Sequence, residues 1–224
     1  IFTKLIREIT VAARLGGGDS EANPRLRTAI VKSRDANMPR ENIDRAIKKG
    51  VGGGEGADFQ ELLYEAYGPG GVALMIEVLT DNKNRSAAEI RNILTKGGGS
   101  LGEFGSVSYL FYRRGVIAFP PSLYDEDKML EVVLEAGAED LSADSETVEV
   151  LTKPEYFHTV LGLTSQAGFK HELAEISWIS DSMVSLDTGK TEKAVRLIEA
   201  LEDHDDVQQV STNMEAPDSI QVSG

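Results

Sequence analysis

The chain has 224 residues, of which 41% are hydrophobic and 27% charged, and it contains no cysteine. This composition excludes a disordered or collagen-like chain, and the missing cysteine excludes disulfides and thiolate metal sites. The apolar runs are far shorter than the roughly 20 residues that a membrane span needs. We therefore expect a globular protein that does not cross a membrane, and we expect it in the cytoplasm.

The net charge of −14 is distributed very unevenly along the chain. Residues 1–50 carry +5, residues 51–120 carry −2, and residues 121–224 carry −17. Charge asymmetry of this kind is typical of proteins that contact a polyanion with their basic end. The acidic half would be repelled by phosphate, so the basic third is the predicted contact region.

Residues 1–50 predict three helices. Apolar residues recur at helical spacing from Phe2 to Leu15, and Asn23-Pro24 supplies a cap residue followed by proline at the first position of the second helix. Asn37-Met38-Pro39 separates the second helix from a third that ends at Gly50. Each helix has one apolar face, so residues 1–57 are predicted to form a three-helix bundle with a glycine-rich linker at its end.

The rest of the chain alternates between strand and helix patterns. Val72–Leu79 predicts a strand, Arg85–Lys96 a helix, and residues 106–119 two strands joined by a hairpin at 113–115. Further helices and strands follow over 125–186, and a last helix and strand are predicted over Thr191–Glu202 and Val207–Thr212.

The last helix and strand could complete the first sandwich. The prediction is an α+β protein with the bundle and two ferredoxin-like α/β sandwich domains. One domain would comprise residues 58–120 and 189–216, and the other, residues 121–188, would be inserted into it. Two consecutive domains are the alternative.

The basic residues of the bundle are the candidate phosphate ligands. Its second and third helices are joined by a short turn, loosely as in a helix-turn-helix, although Glu41 and Asp44 on the third helix disfavour a major-groove reader. A plain solvated face explains the same pattern equally well. With two basic residues from the segment Thr80–Arg85, the candidate nucleic-acid-binding residues are Lys4, Arg7, Arg14, Arg25, Arg27, Lys32, Arg34, Arg40, Arg45, Lys48, Lys49, Lys83 and Arg85.

The acidic run Glu202–Asp206 could hold a hard cation through oxygen ligands. It lacks the glycine and distal glutamate of a calcium loop, so a solvated loop is the expected reading. The three histidines, including His204, are scattered singly in the sequence and predict no metal site. We expect no catalytic residue, metal or cofactor.

Several long motifs carry a resemblance to a known family. They are Ile1–Ile9, Gly16–Asp19, Asn23–Arg27, Asn37–Pro39, Tyr64–Gly71, Thr80–Arg85, Leu101-Gly102, Leu201–Asp203 and Asp205–Gln208. Through them the chain resembles the YebC/PmpR family, whose mitochondrial relative is the translational activator of cytochrome c oxidase. The resemblance implies three domains, no enzymatic activity, and a role either as a DNA-binding transcriptional regulator or as a ribosome-associated translation factor.

The sequence and the resemblance together predict a non-enzymatic, monomeric regulator of gene expression. Its expected partner is nucleic acid, either DNA or ribosomal RNA, and ribosomal proteins are further candidates. A metal-dependent enzyme using the carboxylates of Glu202–Asp206 is one alternative, and a pure protein-interaction module is the other.

Overall fold

The computed structural model describes residues 1–53, 58–121 and 125–215. The predicted linker extends into residues 54–57, which lie outside these ranges. Within them the chain forms seven α-helices: α1 (Phe2–Gly16), α2 (Pro24–Asp35), α3 (Arg40–Val51), α4 (Lys83–Lys96), α5 (Glu126–Glu135), α6 (Phe157–Gln166) and α7 (Thr188–Glu202).

Eight strands of the described residues form two four-stranded sheets. The strands are β1 (Gln60–Tyr67), β2 (Ala73–Thr80), β3 (Ser100–Leu101), β4 (Phe111–Phe119), β5 (Asp140–Ala143), β6 (Val148–Thr152), β7 (Leu173–Ser180) and β8 (Val207–Thr212). Their order is β3-β1-β2-β8 in one sheet and β5-β6-β4-β7 in the other. The predicted α+β fold class, with a helical bundle and two α/β parts, is confirmed.

The chain divides into two compact units. The first contains residues 1–56 and 113–177, and the second contains residues 57–112 and 178–224. In the second unit, β8 pairs antiparallel with β2, more than a hundred residues earlier in the chain. The residue boundaries of the three predicted domains stay a prediction.

The first unit has two apolar cores. The bundle core contains Ile9, Leu26 and Ile43 from its three helices, and the second core is centred on Phe119 and Phe157. Helix α2 joins the two parts through polar contacts as well, because the Lys32 ammonium lies 2.9 Å from the Glu175 carboxylate.

Two histidines extend this junction. His171 Nε2 lies 3.0 Å from the Asp35 carboxylate, and His158 Nε2 lies 2.9 Å from Thr28 Oγ1 and 3.1 Å from the Pro24 carbonyl. Burial lowers the pKa of His158, since a charged imidazole loses hydration there.

The sheet of the second unit is covered on both faces. On one face, Leu74 and Ile76 of β2 pack against α4 and α7 through Ile90, Leu94 and Leu197. On the other face, Ala73 and Met75 pack against Val107, Phe111 and Trp178. Alternate residues of a strand point to opposite faces, so β2 serves two cores at once and is buried almost throughout.

The predicted hairpin at residues 113–115 is wrong. A single strand, β4, runs through these positions, and Gly115 pairs with Thr152 of β6. A side chain at Gly115 would collide with Thr152 Oγ1 and the ring of Phe157. Gly115 therefore permits close packing inside a strand. In the sequence alone, the same glycine looks like a turn residue.

The sequence pattern does not predict strand β1. It predicts a strand from residue 106, whereas residues 102–110 form a loop that ends in a short 3-10 turn, Ser108–Leu110. Both errors lie next to the glycine-rich stretches that the sequence offers at residues 68–71 and 97–99. Glycine there marks the turns correctly but leaves the extent of the flanking strands undefined.

Candidate nucleic-acid interface

Asn23 fixes the corner between α1 and α2. Its side-chain oxygen accepts the Leu26 N–H at 3.1 Å, which caps α2. Its amide nitrogen donates to the carbonyls of Ala12 and Gly17 at 2.9 and 2.8 Å, at the end of α1. Asn23 is buried, so one side chain satisfies backbone groups of two helices and sets the angle between them.

Gly50 brings α3 close to α1. A Cβ atom at this position would collide with the Thr10 carbonyl and lie 2.8 Å from Ala13 Cβ. Ile43, Ala46 and Gly50 form the buried side of α3. With 3.6 residues per turn, Arg45, Lys48 and Lys49 then lie on the opposite, solvent-exposed side.

Three of the predicted basic residues are engaged within the first unit. The Arg25 guanidinium binds both carboxylate oxygens of Glu8, at 2.7 and 3.0 Å. Arg27 donates to the carbonyls of Ser20 and Glu21, and Lys32 pairs with Glu175, as described above. These cations stabilise the fold and have little free capacity for phosphate.

The other cations of the bundle are divided between α1 and the exposed surface. Lys4, Arg7 and Arg14 are partly buried on α1, and each has an interaction within the protein. Arg40 is exposed and lies 3.7 Å from Asp44 on its own helix. The exposed cations of the bundle with no ion pair among the described residues are Arg34, Arg45, Lys48 and Lys49. The last three share one face of α3, and we call them the α3 cation face.

The two candidates of the second unit differ from each other. Lys83 is exposed at the start of α4. Arg85 donates to Asp81 at 3.0 Å and to the buried Asp206 at 2.9 Å. These hydrogen bonds to Asp206 and Asp81 raise the pKa of Arg85, so the guanidinium is held as a permanent charge in a carboxylate site.

Asp206 is the centre of a polar network that the sequence did not reveal. Its carboxylate also accepts from Ser86 Oγ at 2.6 Å and Thr80 Oγ1 at 3.0 Å. Three donors from β2 and α4 therefore satisfy this buried carboxylate, which anchors the segment before β8. The segment Thr80–Arg85 therefore has a structural role: it holds Asp206 next to the exposed start of α4.

The possible metal ligands Glu89, His204 and Asp206 have ligand atoms within 4.8 Å of one another. The Asp206 N–H donates to His204 Nδ1 at 3.1 Å, so the ring proton lies on Nε2, which is 2.6 Å from the Glu89 carboxylate. Both nitrogens are thus used by the protein. No sequence pattern pointed to Glu89, which lies on α4, far along the chain from the acidic run.

Glu65 organises the loop of residues 102–110, another feature that the sequence did not reveal. Its buried carboxylate accepts the backbone N–H groups of Gly105, Val107 and Ser108 at 2.5, 2.9 and 2.6 Å. Burial alone would raise the pKa of Glu65, but the three N–H donors outweigh it and lower the pKa.

Two aromatic side chains of this loop are strongly exposed. Phe104 is 100% exposed and Tyr109 is 77% exposed. Strand β1 contributes two tyrosines. The Tyr67 hydroxyl donates to the Ser106 carbonyl at 3.2 Å, whereas Tyr64 packs against the core between the sheet and the helices. The loop thus presents aromatic surface on a fixed backbone.

In the described parts of the chain, none of the helices combines the length and the apolar character that crossing a bilayer requires. The fold is that of a multi-domain α+β protein with a basic helical bundle at its N-terminal end.

Comparison with known proteins assigns the chain to one family. The model of the TACO1/YebC protein N-terminal domain matches residues 1–53, and the model of the TACO1/YebC second and third domain matches residues 59–214. The chain belongs to the TACO1/YebC family, which confirms the resemblance seen in its motifs.

Similar proteins cover almost the whole chain. A probable transcriptional regulatory protein of Borreliella afzelii (strain PKo) is 54% identical over 98% of this chain and 90% of its own length. A protein of the same description from Treponema denticola is 51% identical over 99% and 90%. The crystal structure of the conserved hypothetical protein Aq1575 from Aquifex aeolicus is similar with a TM-score of 0.88 and 49% identity, covering 98% of this chain and 91% of that one.

Proposed function

We propose that the protein is a non-enzymatic regulator of gene expression that binds nucleic acid through the α3 cation face, in the cytoplasm. The observation that carries the proposal is the exposure of Arg45, Lys48 and Lys49 on one side of α3 with no ion pair among the described residues. Three cations on one helix face can neutralise backbone phosphates and supply sequence-independent affinity. Relatives described as probable transcriptional regulatory proteins support the regulatory role.

The acidic remainder of the chain favours the ribosome over bare duplex DNA as the target. Residues 121–224 carry −17, which repels a second phosphate backbone nearby. A ribosome offers phosphate together with basic protein, so it accommodates both the basic and the acidic parts of this chain. The name shared by the relatives favours DNA, and the experiment therefore includes both.

The test is co-sedimentation with intact ribosomes over a range of salt concentrations, with and without excess duplex DNA. Replacing Arg45, Lys48 and Lys49 by Gln should weaken binding and reduce the salt slope by about 2 to 3, since each phosphate contributes about 0.7–0.9. The matched control replaces the exposed α7 residues Lys190, Lys193 and Arg196 by Gln, which changes the net charge equally.

The outcomes separate the targets. Retention on ribosomes in the presence of DNA supports ribosomal RNA, and release by DNA at low salt supports transcriptional regulation. If the α3 and α7 variants bind equally well, the α3 cation face is not the interface.

The competing hypothesis of a metal-dependent enzyme centres on His204 and the acidic run. The engaged nitrogens of His204 disfavour it, because a metal ion would have to replace either the Asp206 N–H at Nδ1 or the proton that Nε2 shares with the Glu89 carboxylate. Titration calorimetry with magnesium, manganese and calcium tests it, and tight binding of any of them would reinstate it.

A further inference from the structure

The charges of the second unit are separated by its sheet. The Lys and Arg residues of 57–112 and 178–224 all lie on α4 or α7, and none lies on a strand or loop. Strands β1, β2, β3 and β8 and residues 97–112 contain no Lys or Arg, and their acidic residues are Glu61, Glu65, Glu77 and Glu103. Because α4 and α7 pack against one face of the sheet, the basic side chains of the unit belong to that side.

The opposite face of the sheet carries the exposed aromatic residues. The loop of residues 102–110 packs there through Val107, whose neighbours Ala73 and Met75 point away from the helices. Leu63 and Tyr67 of β1 point to the same face as Glu65 and are 43% and 38% exposed. Together with Phe104 and Tyr109 they form a surface that we call the aromatic face.

The aromatic face is both ordered and costly to expose. The three N–H bonds to Glu65 hold the loop backbone, and the Tyr67 hydroxyl donates to the Ser106 carbonyl. A large apolar side chain in water is unfavourable by roughly 25 cal/mol per Å² of apolar surface, and several exposed apolar side chains on one face favour an interaction site there. A loop that is already ordered loses little entropy on binding.

Charge identifies the occupant. The exposed charged residues of this face are carboxylates, namely Glu61 and Glu103. A nucleic acid stacked on Phe104 would bring its phosphates against these carboxylates with no Lys or Arg of residues 97–112 or of β1, β2, β3 and β8 to neutralise them. An arginine or lysine side chain would gain from both, since it pairs with carboxylates and lies over aromatic rings.

We propose that the aromatic face, with Phe104 and Tyr109 as anchors, binds an arginine- or lysine-rich segment of a partner protein. The proposal is independent of the nucleic-acid interface, which lies in the other unit and has the opposite charge. It gives the protein two surfaces of different chemistry, one for phosphate and one for a cationic protein.

The experiment measures fluorescence anisotropy of a labelled peptide of alternating arginine and glycine with the full-length protein. The F104S/Y109S variant should bind about 10-fold more weakly, while its salt dependence is unchanged because no charge is lost. E103Q should bind more weakly and with a smaller salt dependence. The control L134S/Y156S removes an exposed leucine and an exposed tyrosine from the first unit and should bind as the wild type does.

Folding does not confound the comparison, because Phe104 and Tyr109 lie outside the apolar cores, and thermal unfolding of the variants checks this. Equal peptide affinity of wild type and F104S/Y109S overturns the proposal, as does failure of the wild type to bind the peptide. A labelled oligouridylate is measured in parallel. If it requires Phe104 and Tyr109 and the peptide does not, the face binds bases instead.

Discussion

Glu65 shows how one side chain can determine the conformation of a loop. A carboxylate buried without donors would be protonated or excluded from the interior, because desolvation penalises its charge. Here Gly105, Val107 and Ser108 supply three N–H donors. The charge thereby becomes the feature that orders the loop and presents the aromatic face.

Replacing Glu65 by Gln should lower the free energy of unfolding by about 2–3 kcal/mol at neutral pH, since hydrogen bonds to a charged acceptor are lost and an NH₂ group faces N–H donors. Urea unfolding followed by the fluorescence of Trp178, which packs in the same core, measures this. Glu61→Gln, an exposed change on the same strand, should change it by less than about 0.5 kcal/mol.

The comparison of wild type with Glu65→Gln also predicts how the free energy of unfolding depends on pH. The pKa of Glu65 is lower in the folded protein than in the unfolded chain, so its stabilisation is complete above the unfolded-state value and disappears as pH falls through the folded-state value. The difference between wild type and Glu65→Gln should therefore narrow on acidification. A constant difference down to low pH would contradict the assignment.

At the scale of elements, two asparagine caps illustrate what burial adds to the same local motif. Asn23 and Asn82 each accept a backbone N–H at 3.1 Å at the start of a helix. Asn82 is exposed, whereas Asn23 is buried and donates to two carbonyls of the preceding segment. The buried cap therefore joins two helices, and the exposed one stabilises a single helix end.

We expect Asn23→Ala to cost about 2.5 kcal/mol and Asn82→Ala about 1 kcal/mol, because the first also removes two hydrogen bonds to backbone carbonyls, of which the one to Ala12 is buried. Hydrogen exchange of the α2 and α4 amides reports each local stability. Protection of α2 should fall about 70-fold in the first variant, since about 1.36 kcal/mol corresponds to a factor of ten. Equal losses in the two variants would show that the contacts of Asn23 with Ala12 and Gly17 contribute nothing.

At the scale of the whole molecule, the net charge of −14 has opposite effects on folding and on binding. Self-repulsion among carboxylates destabilises a compact chain, and salt screens it. Salt also screens the attraction between the α3 cation face and phosphate. Stability and nucleic-acid affinity should therefore respond to salt in opposite directions.

Raising the salt concentration from low to physiological ionic strength should increase Tm by about 2 °C, corresponding to roughly 1 kcal/mol for a chain of this size. Over the same range, ribosome or DNA binding should weaken. Thermal scans and co-sedimentation in matched buffers test the two together. A fall in Tm on adding salt would mean that surface ion pairs outweigh the repulsion.

Features that depend on neighbouring residues could be predicted from the amino-acid sequence. The three helices of the bundle, the Asn23-Pro24 start of α2 and the fold class followed from apolar spacing and capping, because helix hydrogen bonds are made within about four residues. The motifs likewise determined the family, and the exposed α3 cation face was contained in the predicted set of basic residues.

Which cations remain available for binding depends on contacts between segments that are distant in the sequence. Arg85 is paired with Asp206, 121 residues later in the chain, and Lys32 with Glu175. Because the partners are far apart in the chain, no local sequence pattern predicts these ion pairs. The same holds for Gly115, which reads as a turn until β6 is placed beside it, and for the loop ordered by Glu65. Charge pairing and strand pairing depend on distance in space, and that distance is fixed only when segments remote in sequence pack together.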